Sequence, residues 1–215
     1  MNESTIFSRD CRDCPRLAGF LDQVRSEHPD YHAGPVAPFG DAAPGLLIVG
    51  LAPGMHGANR TGRPFTGDHA GILLYETLHR HGYASRPLSI SADDGLELSD
   101  CRITNAVKCL PPQNKPEPAE IRQCNGYLSR EIALLPPRAA ILALGNIAHG
   151  AVLRAVGMKL KDFPFSHAAV HHLPGGQTLY DSYHCSRYNT QTRRLTPQMF
   201  DAVFTRIRAD SSSDE

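Results

Sequence analysis

Residues 50 to 68 read GLAPGMHGANRTGRPFTGD, placing glycines at 50, 54, 57, 62 and 67 around Phe65 and ending on the carboxylate Asp68. Glycine lets backbone N–H groups come close to a ligand, and Phe65 between Pro64 and Thr66 offers a flat apolar face, a combination that suits a planar polar ring. The run has neither the GxxxxGK[ST] of a phosphate loop nor the GxGxxG of a dinucleotide site, and it has no lysine, which disfavours ATP chemistry. Asn105 and the loop HCSRYNTQT (184–192) add a side-chain amide and an imidazole, His184. Cys11 and Cys14 form a C-x2-C pair, with Cys109 and Cys124 further along. Four thiolates can close one tetrahedral metal site or hold one cubane cluster, and spacing does not separate zinc from iron–sulfur. Unligated thiols are the alternative. Cys101 sits inside an apolar run and reads as a small buried hydrophobe.

Something must bring these segments together. Strand-like apolar runs occur at 45–50, 101–107, 139–145, 167–173 and 177–183, with helix patterns over Arg16 to Glu27, Ala70 to His81, Glu117 to Leu135, Asn146 to Val156 and Pro197 to Ile207. This alternation predicts an α/β fold, a three-layer α/β/α sandwich on a mostly parallel sheet. The glycine-rich run, Asn105 and the His184 loop each follow a strand, and open α/β sheets place ligands at the carboxyl ends of their strands. One shared cleft is the consequence. Residues 84 to 100 read as a polar surface insertion, and LPPQNKPEP (110–118) as a stiff connection. The histidines of HAAVHH (167–172) read as structural or exposed rather than as a metal site.

Composition bounds the rest. A chain of 215 residues with 41% hydrophobic and 20% charged content is a soluble globular protein, expected to fold as one domain over 1–208, with an acidic disordered tail at 209–215. Its 22 basic and 22 acidic residues cancel, so charge alone is no argument for a polyanionic partner. No apolar run reaches the ~20 residues of a membrane helix, and the amino terminus lacks a secretion signal, so the cysteines are expected in a reducing cytoplasm.

GLAPGMHGANRTGRPFTGD, TNAVKCLPP and the HCSRYN loop together resemble the motifs of the uracil-DNA glycosylase superfamily, family five in particular. The resemblance runs from Cys11 to about Thr192, and Leu51 stands where family four carries a carboxylate. It implies a four-stranded parallel core and a structural [4Fe–4S] cluster on Cys11, Cys14, Cys109 and Cys124. It implies a monofunctional DNA-repair glycosylase that flips uracil, and other deaminated or damaged bases, out of double-stranded DNA and hydrolyses the N-glycosidic bond. Phe65 would then stack on the base, Gly50, Ala52 and Gly54 would bind it through backbone amides, and Asn105 would read its edge. Asp68, Asn105 and His184 form the expected catalytic set. Arg60, Arg63, Ser186, Arg187, Tyr188 and Asn189 form the expected DNA-binding set. A cytoplasmic, nucleoid-associated monomer is expected. Two residues depart from the family pattern: Cys185 replaces a proline, which is expected to loosen its loop, and Met55 replaces a small residue beside the base pocket, which is expected to narrow or reshape it. Asp68 as a mere helix cap, Asn105 as a turn residue and Phe65 as plain core are the structural alternatives. The functional alternatives are a non-catalytic or altered-specificity DNA-binding member of the superfamily and a small-molecule enzyme or redox protein that uses the cysteines directly.

Overall fold

The computed structural model describes residues 7–212. Its centre is a six-stranded sheet in the order β1-β3-β2-β4-β6-β5, built from β1 (Phe39–Gly40), β2 (Leu46–Gly50), β3 (Cys101–Asn105), β4 (Ala140–Leu144), β5 (Val170–His172) and β6 (Thr178–Ser182). β3, β2, β4 and β6 pair in parallel, and β1 and β5 close the two edges antiparallel. The parallel four-stranded core is therefore as expected. The one strand-like run beyond that core, 167–173, contributes the short edge strand β5, and β1 has too few residues for a periodic signal.

β2, β3 and β4 are buried at every position, because helices cover both faces of a parallel sheet. Leu46, Ile48, Leu142, Leu144 and Tyr180 point to one face, where α3 (His69–Arg80) and α7 (Pro197–Ser212) pack. Leu47, Val49, Ile141, Ala143 and Leu179 point to the other, against α4 (Pro118–Ala133) and α5 (Asn146–Ala155). The period of two along each strand assigns these faces. α1 (Pro15–Glu27) precedes the sheet, and two short helices, α2 (Ala58–Thr61) and α6 (Arg187–Gln191), lie within the glycine-rich run and the His184 loop.

Two expectations change. The helix α7 continues through Ser212, so residues 209–212 are helical rather than tail, and residues 213–215 lie outside the described residues. Arg206 binds Asp210 one turn on, at 2.7 Å, which supports those last turns. The insertion 84–100 is polar but anchored, since Ala84, Leu96 and Leu98 enter the core and Ala84 bridges Leu98. Among the described residues no helix is long and apolar enough to cross a membrane.

Candidate active site

β2 sits between β3 and β4, so the chain leaves it first to one side and then to the other, and a crevice opens where the strands end. A hollow of about 490 Å³ occupies it, lined among others by Phe65, Asp68, Asn105, Gly145 and His184. Residues 65, 68, 105 and 184 thus face one space. Leu51, Ala52 and Gly54 line it as well. Gly50 does not; it forms the floor behind the site. A Cβ on Gly50 would lie 2.6 Å from Phe65 Cζ and closer still to Asn105 Oδ1, so only glycine lets both side chains settle.

Phe65 is buried and holds φ at 53°, in the left-handed region that a bulky residue rarely adopts. Tyr75 Oη donates to Pro64 O at 2.9 Å, and Gly71 leaves room for the Phe65 carbonyl, which any side chain there would overlap. The Phe65 ring lies 5.9 Å from that of His184 at 29° between planes. His184 is half-buried, with protein packed around it except where it lines the hollow, and burial lowers its pKa from 6.5 to about 4, leaving a neutral imidazole at pH 7. Asn105 closes β3 almost fully buried, and its Oδ1 has no hydrogen-bond partner. A buried acceptor left open toward a cleft is poised for a ligand donor.

Asp68 does two jobs at once. It is the N-cap of α3, Oδ1 accepting from Gly71 N at 2.9 Å, a contact worth about 1 kcal/mol. Its other oxygen packs over Gly57, where a Cβ would overlap the carboxylate. Burial raises its pKa, and the backbone N–H groups of Gly71 and Ala70 pull it back. The capping alternative is true, and the residue still faces the hollow.

The residues expected on DNA separate into two kinds. Arg63 is not available: only 4% exposed, it pairs with Asp94 at 2.7 Å and binds Ser89 and Thr66, tying the glycine-rich run to the insertion. Asn189 Nδ2 donates to His184 O at 2.8 Å, and Ser186 caps α6 by accepting from Asn189 N, so both brace the loop. Arg60, Arg187 and Tyr188 are exposed, Arg60 and Arg187 lining a hollow next to the first. Met55 lies off the main hollow, packed with Leu21, Val24, Ala33 and Leu110, so it does not narrow the site. Cys185 is fully buried beside the sheet and burial raises its thiol pKa, so the loop is packed rather than loosened. The fourth parallel strand also ends here, its Gly145, Asn146 and Ile147 forming one wall. The carboxyl-end rule applied to 139–145 points to these residues, which the motifs did not.

Cys11, Cys14, Cys109 and Cys124 line one small hollow at the junction of α1, the β3–α4 connection and α4. Arg16 grips Glu120 through two bonds of 2.8 and 2.7 Å, joining α1 to the start of α4. Lys108 N donates to Cys124 Sγ at 3.3 Å. Burial and the neighbouring sulfurs push the thiol of Cys14 up to about 11 and that of Cys109 up to about 12. Burial raises the thiol of Cys124 as well, and thiols that resist ionisation in one place become thiolates readily only with a cation beside them.

Comparison with known proteins agrees with this arrangement. The family model described as "Uracil DNA glycosylase superfamily" matches residues 37–208. The chain is 48% identical over 197 residues to the type-5 uracil-DNA glycosylase of Thermus thermophilus, covering 88% of this chain and 89% of that protein. It is 45% identical over 203 residues to the type-5 enzyme of Mycobacterium leprae, at 90% and 88% coverage. A type-5 enzyme of Pyrobaculum aerophilum is 40% identical over 205 residues, at 94% and 89%. With the match spanning the sheet, the glycine-rich run and the His184 loop, the chain belongs to the uracil-DNA glycosylase superfamily.

Proposed function

We propose that this chain excises uracil from double-stranded DNA by hydrolysing its N-glycosidic bond, leaving an abasic site. The observation that carries the reading is the open Oδ1 of Asn105, buried at the floor of a cleft beside Phe65 and a neutral His184. Uracil offers N3–H to that acceptor and O4 to the Asn105 amide N–H. Cytosine offers the reverse, leaving buried polar groups unpaired at a cost of about 1–3 kcal/mol each.

The base reaches this depth only by leaving the helical stack, which is cheapest for a mispaired base such as uracil opposite guanine. Phe65 supplies the stacking face. As the C1′–N1 bond breaks, the electron pair stays on the base and its charge gathers on O2, where the neutral imidazole of His184 donates a hydrogen bond. Asp68, across the hollow, faces the sugar; its carboxylate stabilises the cationic carbon, orients the water that adds to C1′ and takes the proton that this water loses, while the base leaves as the anion. Arg60, Arg187 and Tyr188 contact the DNA outside the pocket, a few charges that need no basic composition.

The four cysteines would hold a [4Fe–4S] cluster. The support is that all four cysteines line one hollow between α1, the β3–α4 connection and α4, the number and kind of ligand a cubane takes. When bound it supplies a cross-link between α1 and α4, and no step of the hydrolysis is assigned to it. A monomeric cytoplasmic enzyme is part of the same proposal.

The test is alkali cleavage of duplex oligonucleotides carrying U·G, U·A, hypoxanthine or ethenocytosine after incubation with iron-replete protein. Strand scission at U·G is expected. Its absence from protein with a full iron complement rejects the reading.

A further inference from the structure

Behind the active site, on the α5 side of the sheet, lies a second group of chemically capable residues. Asp181 on β6 sits three positions before His184, with its side chain fully buried. His149 on α5, also fully buried, places Nδ1 2.8 Å from Asp181 Oδ1. His171, on the edge strand β5, places Nε2 3.3 Å from Asp181 Oδ2. The three ligand atoms lie within 4.8 Å of one another. We propose that His149, His171 and Asp181 bind a single divalent cation of the zinc class.

Three observations carry this. First, Asp181 Oδ2 and His171 Nε2 are both buried and neither has a hydrogen-bond partner, although they are only 3.3 Å apart. Their separation suits a bond but their directions do not, as for two atoms aimed at a common third point. Second, His149 Nε2 lies 2.8 Å from the carbonyl oxygen of Phe163. A carbonyl only accepts, so Nε2 carries a hydrogen and Nδ1 is left to face Asp181. A ring N–H held by a backbone carbonyl while the other nitrogen meets the ion is the usual support of a metal-bound histidine. Third, the spacing is near what the ion needs: a tetrahedral shell of nitrogen and oxygen at about 2.0 Å keeps ligands about 3.3 Å apart, against 2.8 Å for His149 Nδ1 and 3.3 Å for His171 Nε2 from the Asp181 oxygens.

Both ring nitrogens of His149 face acceptors, Asp181 Oδ1 and the Phe163 carbonyl. A zinc ion would take the place of the proton on Nδ1, which passes to solvent, and a water would complete the shell, leaving one net positive charge on the Zn²⁺ and Asp181 carboxylate together. The edge strand is the route in, since His171 is the one ligand with some exposure. The ion would fasten β6, which delivers His184, to α5, whose first turn walls the cleft. His171 stands in the HAAVHH run, whose histidines look structural or exposed in sequence because the partners of His171 come from other elements.

The experiment loads iron-replete protein with zinc sulfate, removes excess by gel filtration, and combines metal analysis with zinc-edge X-ray absorption. One zinc per chain with iron unchanged is expected, in a shell of nitrogen and oxygen near 2.0 Å. His171→Ala should weaken zinc binding at least ~100-fold while keeping iron and uracil excision. A shell containing sulfur near 2.3 Å places the zinc on cysteines and overturns the proposal, as does absence of bound zinc or equal binding by His171→Ala. If that variant does not fold, His171→Gln replaces it, and the wild-type spectrum decides in either case.

Discussion

Acidification tests the electrostatics of the site most directly, because burial holds His184 near a pKa of about 4 while its ordinary value is 6.5. A histidine whose pKa is depressed by folding binds fewer protons folded than unfolded. Its stabilising contribution is therefore complete above pH 6.5 and is lost as pH falls toward 4. Each pH unit across that window is worth about 1.4 kcal/mol. Taking the pH from 7.5 to 5.0 should thus cost about 2 kcal/mol through this residue alone. The assay is denaturant unfolding of wild type and His184→Asn at both pH values, the variant subtracting every other titrating group. Imidazole resonances of labelled histidine give the pKa directly. At pH 5 the ring is still about nine-tenths neutral by the same arithmetic, so its hydrogen-bond donor role survives. A His184 signal titrating near 6.5, or equal acid sensitivity of wild type and variant, would refute the argument that burial keeps the ring neutral.

Three further outcomes follow from individual contacts. Asp68→Asn keeps a good helix cap, so stability should change by less than about 1 kcal/mol while single-turnover excision falls at least ~100-fold; Asp68→Ala should lose about 1 kcal/mol as well, read from the unfolding midpoint. Asn105→Asp exchanges the amide donor for a second acceptor and should slow excision of uracil by ~10- to 100-fold with the fold intact by circular dichroism. Arg63→Ala breaks a buried pair with Asp94 and should cost about 3–5 kcal/mol, whereas Arg187→Ala should leave stability unchanged and reduce the salt dependence of duplex binding by about one phosphate contact. Thermal unfolding and binding isotherms at several salt concentrations separate the two arginines.

What was legible in the sequence is what local pattern encodes. β2 and β4 are continuous apolar runs, β3 and β6 are mixed ones with an apolar centre, and several of the five long helices open on a proline or an acid. The rule that ligands gather at the carboxyl ends of strands located the cleft through three of its four walls. The glycine positions stated that something approaches closely; the structure identifies Asn105, Phe65 and the Asp68 carboxylate as the groups that do.

Partnership across the chain was not legible, because it depends on which side chains the fold places within bonding distance. Arg63 and Arg60 look alike in sequence, yet the insertion folds Asp94 onto one and leaves the other in solvent. Cys185 in place of a proline reads as a loosened turn until the core is seen to close around it. His149, His171 and Asp181 lie on three separate elements, and only the packing of α5 and β5 against β6 makes them neighbours. Periodicity and backbone freedom are properties of short segments, and the sequence determined those; pairing, burial and the pKa values that follow from them are properties of the packed whole, and only the tertiary structure decided them.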